Sequence, residues 1–249
     1  MKLKLIACKV LFRELSRLAA ESENQIDVTW LRQGYHNVPE KLRELLQAEI
    51  DAVESGEDPH SNDLREEDFD AILIGYGLCS NAAAGLTARR HRLVIPRAHD
   101  CITLFLGGKE RYAELFETIP GCFWYTKSWI ECAAMPCRAG QERQRREFEA
   151  QGYDDETIDY LLEELGGLEH YSSAAYIRMP GEQGEAGPAF TKEAADYFGW
   201  QYHELTGSPR LLEKLVAGDW NEEDFLVLEP GETAEQSADA RIIRKAENR

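Results

Sequence analysis

Three cysteines in the first half of the chain stand where a parallel sheet would put its chemistry. Cys8 follows the apolar run LKLIA, Cys79 lies four residues past FDAILIG, and Cys101 lies five residues past HRLVIP. Convergent thiolates are soft ligands that select zinc, copper(I) or an iron–sulfur cluster. Three of them leave one coordination position open for a fourth ligand or a substrate. His99, two residues before Cys101, offers a nitrogen ligand or a general acid–base, and Asp100 a group to orient it. Arg97 offers a planar fork for a substrate carboxylate or phosphate. In the GYG turn ahead of Cys79, Gly75 and Gly77 permit close backbone approach to a cofactor beside Tyr76. The alternative for any one of these cysteines is apolar filler, since free cysteine is often buried as a small hydrophobe.

These residues need a scaffold that gathers them. The runs Leu3–Ala7, Ile26–Leu31, Phe69–Gly75 and His91–Pro96 read as strands, being apolar, β-branched and bounded by turn residues. Helical periodicity spans Val10–Ala20 and the segment opened by Pro39. A small-residue helix is expected over Ala82–Ala88, so that Cys8 and Cys79 would each precede a helix N-terminus, which favours thiolates. Strands alternating with helices predict an α/β fold, a mostly parallel Rossmann-like sheet with helices on both faces. Such sheets bind ligands beyond the C-terminal ends of their strands. If the strands before the three cysteines are neighbours, the sulfurs meet on one rim.

The second half carries helical patterns at Gln141–Ala150, Asp155–Leu165, Thr191–Phe198 and Pro209–Val216. Strand patterns fall at Cys122–Tyr125, Ala174–Met179, Trp200–Leu205 and Phe225–Leu228. The chain is read as one α/β domain over residues 1–249, divisible into lobes 1–128 and 129–249, with a polar tail over 232–249 to which Ile242-Ile243 adds an edge strand. Cys132 and Cys137, five apart with Cys122 upstream, read either as a second thiol pair or disulfide switch or as unrelated to function, and the second reading is favoured.

Composition bounds the partners. A formal net charge of −18 repels phosphate backbones and anionic lipid, so neither nucleic acid nor a membrane surface is expected. No apolar stretch approaches the ~20 residues that span a bilayer. The short apolar run near the N-terminus is interrupted by Lys9, Arg13 and Glu14 and does not read as a signal peptide. A cytoplasmic location is the default, where cysteines are thiols, metal ligands or redox groups more often than disulfides.

The segments LKLIACKVLFREL, ILIGYGLCSN and VIPRAHDCITLFLGGKERY, with YTKSWIE and WNEEDFLVLEPGE further on, resemble an uncharacterised family, domain of unknown function 1638. Its pattern matches Cys8, Cys79, His99, Asp100 and Cys101. It has glycine after the second cysteine, where this chain has Ser80, and it lacks Cys122, Cys132 and Cys137. The family occurs in anaerobic bacteria and archaea, often encoded near corrinoid-dependent methyltransferase systems. The resemblance therefore implies a metalloprotein of one-carbon metabolism, holding an iron–sulfur cluster or zinc, as a metal-dependent methyltransferase or iron–sulfur enzyme. It would act on a small-molecule substrate beside a corrinoid protein or methyltransferase partner. The alternatives are a non-catalytic corrinoid- or metal-binding accessory protein and, third, a thiol redox protein.

Overall fold

The computed structural model describes residues 1–61 and 68–247. The polar loop expected over Glu54–Asp68 therefore lies partly outside the described residues. In chain order the elements are β1 (Lys2–Cys8), α1 (Phe12–Glu21), β2 (Gln25–Leu31), α2 (Pro39–Ser55), β3 (Ala71–Gly75), β4 (Arg92–Pro96), α3 (Cys101–Leu106) and α4 (Lys109–Thr118). Then follow β5 (Cys122–Tyr125), α5 (Lys127–Cys132), α6 (Arg138–Ala150), α7 (Asp155–Gly166), β6 (Ser173–Arg178), α8 (Ala186–Phe198) and β7 (Gln201–Thr206). The chain closes with α9 (Arg210–Ala217), β8 (Phe225–Leu228), β9 (Ala234–Gln236) and β10 (Ile243–Lys245). The fold is α/β with mostly parallel sheets, as the alternating pattern predicts.

The chain divides into two compact units, and the division does not fall at residue 128. One unit joins Met1–Arg111 to Ser208–Arg249, and the other is Tyr112–Gly207. The C-terminal segment belongs with the first unit because β8 pairs antiparallel with β4.

In the first unit the sheet order is β2-β1-β3-β4-β8, with only β8 antiparallel. Leu3, Leu5, Ile6, Ile72, Leu73, Ile74, Leu93, Val94 and Ile95 have no exposed surface. Continuous apolar strands of this kind are expected where both faces of a parallel sheet are covered. Each such side chain contributes about 1.5–3 kcal/mol of transfer free energy. A charged side chain also lies within this core. Lys4 is fully buried, paired with Asp27, its register partner on β2, at 3.1 Å, and with Asp58 from the loop after α2.

The helix expected over Ala82–Ala88 does not form. Residues 79–85 make successive turns, and Thr87 bridges to Thr233. The backbone hydrogen bonds that a helix would use run elsewhere. Gly85 N–H donates to Ala234 O (2.7 Å), Ala88 N–H to Glu232 O (3.0 Å), and Ala234 N–H back to Leu86 O (2.8 Å). On the other side, α2 fastens the segment through Gln47, which bonds both backbone groups of Thr87. Small residues let these two neighbours approach, and tertiary pairing overrides their helix propensity. The tail after Glu232 is likewise built in. β9 and β10 pair as an antiparallel ribbon, and Ile242 and Ile243 are buried.

The second unit has a parallel sheet ordered β5-β6-β7. Its core gathers Tyr125, Ala174, Tyr176, Ala194, Ala195 and Trp200, with α8 against β6 and β7.

Candidate functional site

The strand order answers the question that spacing left open. β1, β3 and β4 are consecutive neighbours, and Ala7 stands opposite Gly75 in the parallel register. Cys8 at the end of β1, Cys79 in the turn after β3 and Cys101 at the start of α3 therefore stand on one rim of one sheet. Beyond the strands the pairing continues, with Leu78 N–H donating to Ala98 O (2.7 Å) and Cys79 N–H to His99 O (2.9 Å). This zips the Cys79 turn to the loop that ends at Cys101.

Of the two glycines of the GYG turn, Gly77 serves that zipping and Gly75 admits β1. A Cβ on Gly75 would stand 2.5 Å from Ala7 Cβ, and one on Gly77 would stand 2.7 Å from Asp100 N and 2.8 Å from Ala98 O. Their missing side chains admit Ala7 and the 98–100 backbone, so the close approach on these faces is to protein. Neither has a positive φ. The left-handed residues come next, with Cys79, Ser80 and Asn81 at φ 45°, 55° and 70°. Left-handed backbone costs a non-glycine residue about 1–2 kcal/mol, which explains why glycine suits the position of Ser80. Local bonds hold the turn: Ala82 N–H to Cys79 O (3.1 Å), Ala83 N–H to Leu78 O (3.2 Å), and the Arg43 guanidinium to Asn81 O (2.9 Å).

Tyr76 lies at the centre of the cluster. It is 4% exposed, and its hydroxyl has no hydrogen-bond partner. Burial, then the neighbouring Cys8, Cys79 and Cys101 sulfurs, push the phenol well above its usual range, so it stays protonated. All three sulfurs thus lie within electrostatic reach of one hydroxyl. The Cys8 sulfur also acts on the phenol at hydrogen-bonding range, although the pair does not meet full hydrogen-bond geometry.

Cys79 has no helix after it to favour its thiolate. Burial of the sulfur, followed by Asp100 and Cys8, pushes its thiol far up, against the opposing Gly77 N–H. Asp100 also caps α3, accepting from Thr103 N–H at 3.1 Å, and Cys101 opens that helix. Among the described residues, no group of three or more His, Cys, Asp or Glu side chains stands ready to hold a metal ion. The donors fit a soft metal in kind and share a rim, but they do not form a coordination shell.

The remaining expected residues separate. His99 is exposed, and its carbonyl, not its ring, accepts from Cys79 N–H. Arg97 turns to the C-terminal segment. Its Nε donates to Glu222 O (2.8 Å), and Nη1 donates to Arg241 O (3.2 Å) and to Ile243 O. A residue that the sequence reading did not single out joins the cluster instead. His36 sits half-buried in the turn after β2, beside Asp100, and burial lowers its pKa while Asp100 pulls it up. The available signal was topological, because β2 neighbours β1 with Leu31 opposite Cys8.

Comparison with known proteins adds a family and no function. No curated protein and no solved structure matches the chain. The family model described as "Protein of unknown function (DUF1638)" matches residues 30–216, a span that contains Cys79 and Cys101 and begins after Cys8. That match covers most of the chain, and the chain belongs to this family.

Proposed function

We propose that Cys8, Cys79 and Cys101 form a metal centre, an iron–sulfur cluster or zinc, with an open position toward Tyr76. The observation that carries this reading is the Tyr76 hydroxyl, buried without a partner among three sulfurs. An unsatisfied buried hydroxyl costs about 1–3 kcal/mol, and such a group calls for a reason, an absent ion or ligand among them. The donor set agrees, since three thiols on one rim are what a soft metal takes.

The electrostatics favour this reading over metal-free thiol chemistry. A redox thiol or nucleophile needs a thiolate. Cys79 faces Asp100 and Cys8 and is held protonated. A cation at the rim would reverse that field and deprotonate coordinating thiols. When bound, such a metal supplies Lewis acidity toward whatever fills the open position. Tyr76, kept protonated, would donate a hydrogen bond to that ligand. His36, favoured neutral by burial, would accept a proton at the cluster's edge, with Asp100 beside it. From the family resemblance we take the setting, anaerobic one-carbon metabolism linked to corrinoid methyl transfer. There the protein would be a metalloenzyme or, second, a metal-binding accessory protein.

The test is metal and acid-labile sulfide analysis of protein purified without oxygen, run beside Cys79→Ser with folding checked by circular dichroism. Stoichiometric metal lost in a folded C79S protein supports the centre. Equal metal content in both proteins, or none in either after reconstitution with iron and sulfide or with zinc, rejects it.

A further inference from the structure

Arg97 belongs to a second feature of the first unit. A cavity of about 580 Å³ opens between β8 and the C-terminal segment. That volume falls within the ~300–1,000 Å³ typical of small-molecule sites. Phe225, Leu226 and Val227 form its apolar wall. Arg97, Arg241, Arg244 and Lys245 all line it. Four cations around one cavity run against a chain with 28 Lys and Arg to 46 Asp and Glu.

The four are not equivalent. Arg97 is 8% exposed, and its Nε and Nη1 are held by the carbonyls of Glu222, Arg241 and Ile243. Its Nη2 donates to no acceptor among the described residues, and the side chain lines the cavity. A guanidinium so fixed is pre-organised to bind an oxyanion. The other three are exposed and ion-paired: Arg241 with Asp239 (2.6 Å), Arg244 with Glu235 (2.7 Å) and Lys245 with Glu232 (2.7 Å). Their side chains are 56%, 38% and 47% exposed. Such pairs are worth little in water and rearrange readily. Three carboxylates share the lining. Glu229 reaches Arg92 (3.2 Å) and Glu247 reaches Arg244 (3.4 Å), while Glu222 faces Arg97.

We infer that this cavity binds a small organic anion through its carboxylate or phosphate group, with Arg97 as the fixed anchor and Arg241, Arg244 and Lys245 recruited around it. Burial, and after it the Arg241 charge, lower the Arg97 pKa; an anion between the two guanidiniums would relieve that repulsion. This site is independent of the metal centre.

The test uses inorganic phosphate and malonate as probes of the two head groups, by isothermal titration at fixed ionic strength in chloride. The intact chain is compared with Arg241→Gln/Arg244→Gln, with folding checked by circular dichroism. Saturable binding at one site per chain, weakened at least tenfold in the double variant, is expected. Binding of phosphate alone or of malonate alone assigns the head group. No saturable binding of either probe, or equal affinity in the double variant, overturns the site. Cys79→Ser is expected to bind the probes as the parent does, so failure of the metal reading leaves this one standing. Loss of probe binding in a folded C79S protein would remove the assignment to this cavity.

Discussion

Each unit holds a buried tyrosine with cysteines in electrostatic reach, and the two differ in what the tyrosine hydroxyl does. In the second unit Tyr125 is fully buried, with Cys122 and Cys137 acting on its phenol. Its hydroxyl donates to Pro136 O at 2.9 Å. Cys137 caps α6, accepting from Gly140 N–H at 3.4 Å, and Cys122 donates weakly to Phe123 O. Every group there has local structural employment. In the first unit Tyr76 is as deeply set, but its hydroxyl is unpaired and the cysteines come from three separate strand ends. Proximity of thiols to a tyrosine is therefore not in itself a site. The unsatisfied hydroxyl at a sheet's C-terminal rim sets the first cluster apart.

The largest effect that could break this contrast is in metal content. Cys79→Ser is expected to abolish stoichiometric loading, while Cys137→Ser leaves it unchanged, both read by elemental analysis on anaerobic protein. Equal loss in both variants would end the distinction between the clusters.

Next is backbone space. Gly77→Ala forces a Cβ into the 98–100 backbone and should destabilise by about 1–3 kcal/mol, the range of overpacked interiors. Gly140→Ala meets only Cys137 Sγ at 3.5 Å and Met135 O at 3.8 Å, and lies within α6. It should stabilise by about 0.5–1 kcal/mol through helix propensity. Urea midpoints of the two variants should move in opposite directions.

The hydroxyls give the sharpest test at lower magnitude. Tyr125→Phe loses a buried hydrogen bond and should cost about 1 kcal/mol. Tyr76→Phe removes an unsatisfied donor and should leave the metal-free protein as stable or about 1 kcal/mol more so. If Tyr76→Phe costs as much as Tyr125→Phe, the hydroxyl has a structural partner and the argument for the centre fails. Ser80→Gly, which relieves a left-handed residue, should gain about 0.5–1 kcal/mol in the same assay.

The smallest expected effect is on acid stability of the first unit. Burial of Asp224 raises its pKa, but hydrogen bonds from Lys214, Asn221 and Arg210 outweigh it, leaving the carboxyl below its usual value. A folded pKa below the unfolded one means stability that is present above the ordinary carboxylate range. It is lost as pH falls through the folded value. Asp224→Asn should flatten that limb of the stability–pH curve, measured by urea unfolding between neutral and acidic pH.

Local residue pattern was enough for the class of fold and the nature of the donors. An apolar run such as Ala71–Gly75 reads as a covered strand, and Cys79 and Cys101 beyond such runs fall in β-to-α connections, because side-chain periodicity is a local property. The end of β8 against β4, the pairing of Gly85–Ala88 with residues 231–234, and the arrival of His36 at the rim are contacts between distant segments. No local pattern contains them. Ala82–Ala88 shows the limit, since its small residues suit a helix and a close-packed irregular turn equally, and the C-terminal segment chose between them. Arg97 shows it again, because its charge was legible but its direction depended on carbonyls more than a hundred residues away. Which thiols converge, and around which hydroxyl, was decided by strand order. That order is a property of the whole sheet, whose burial energy is won only when all its strands are in place.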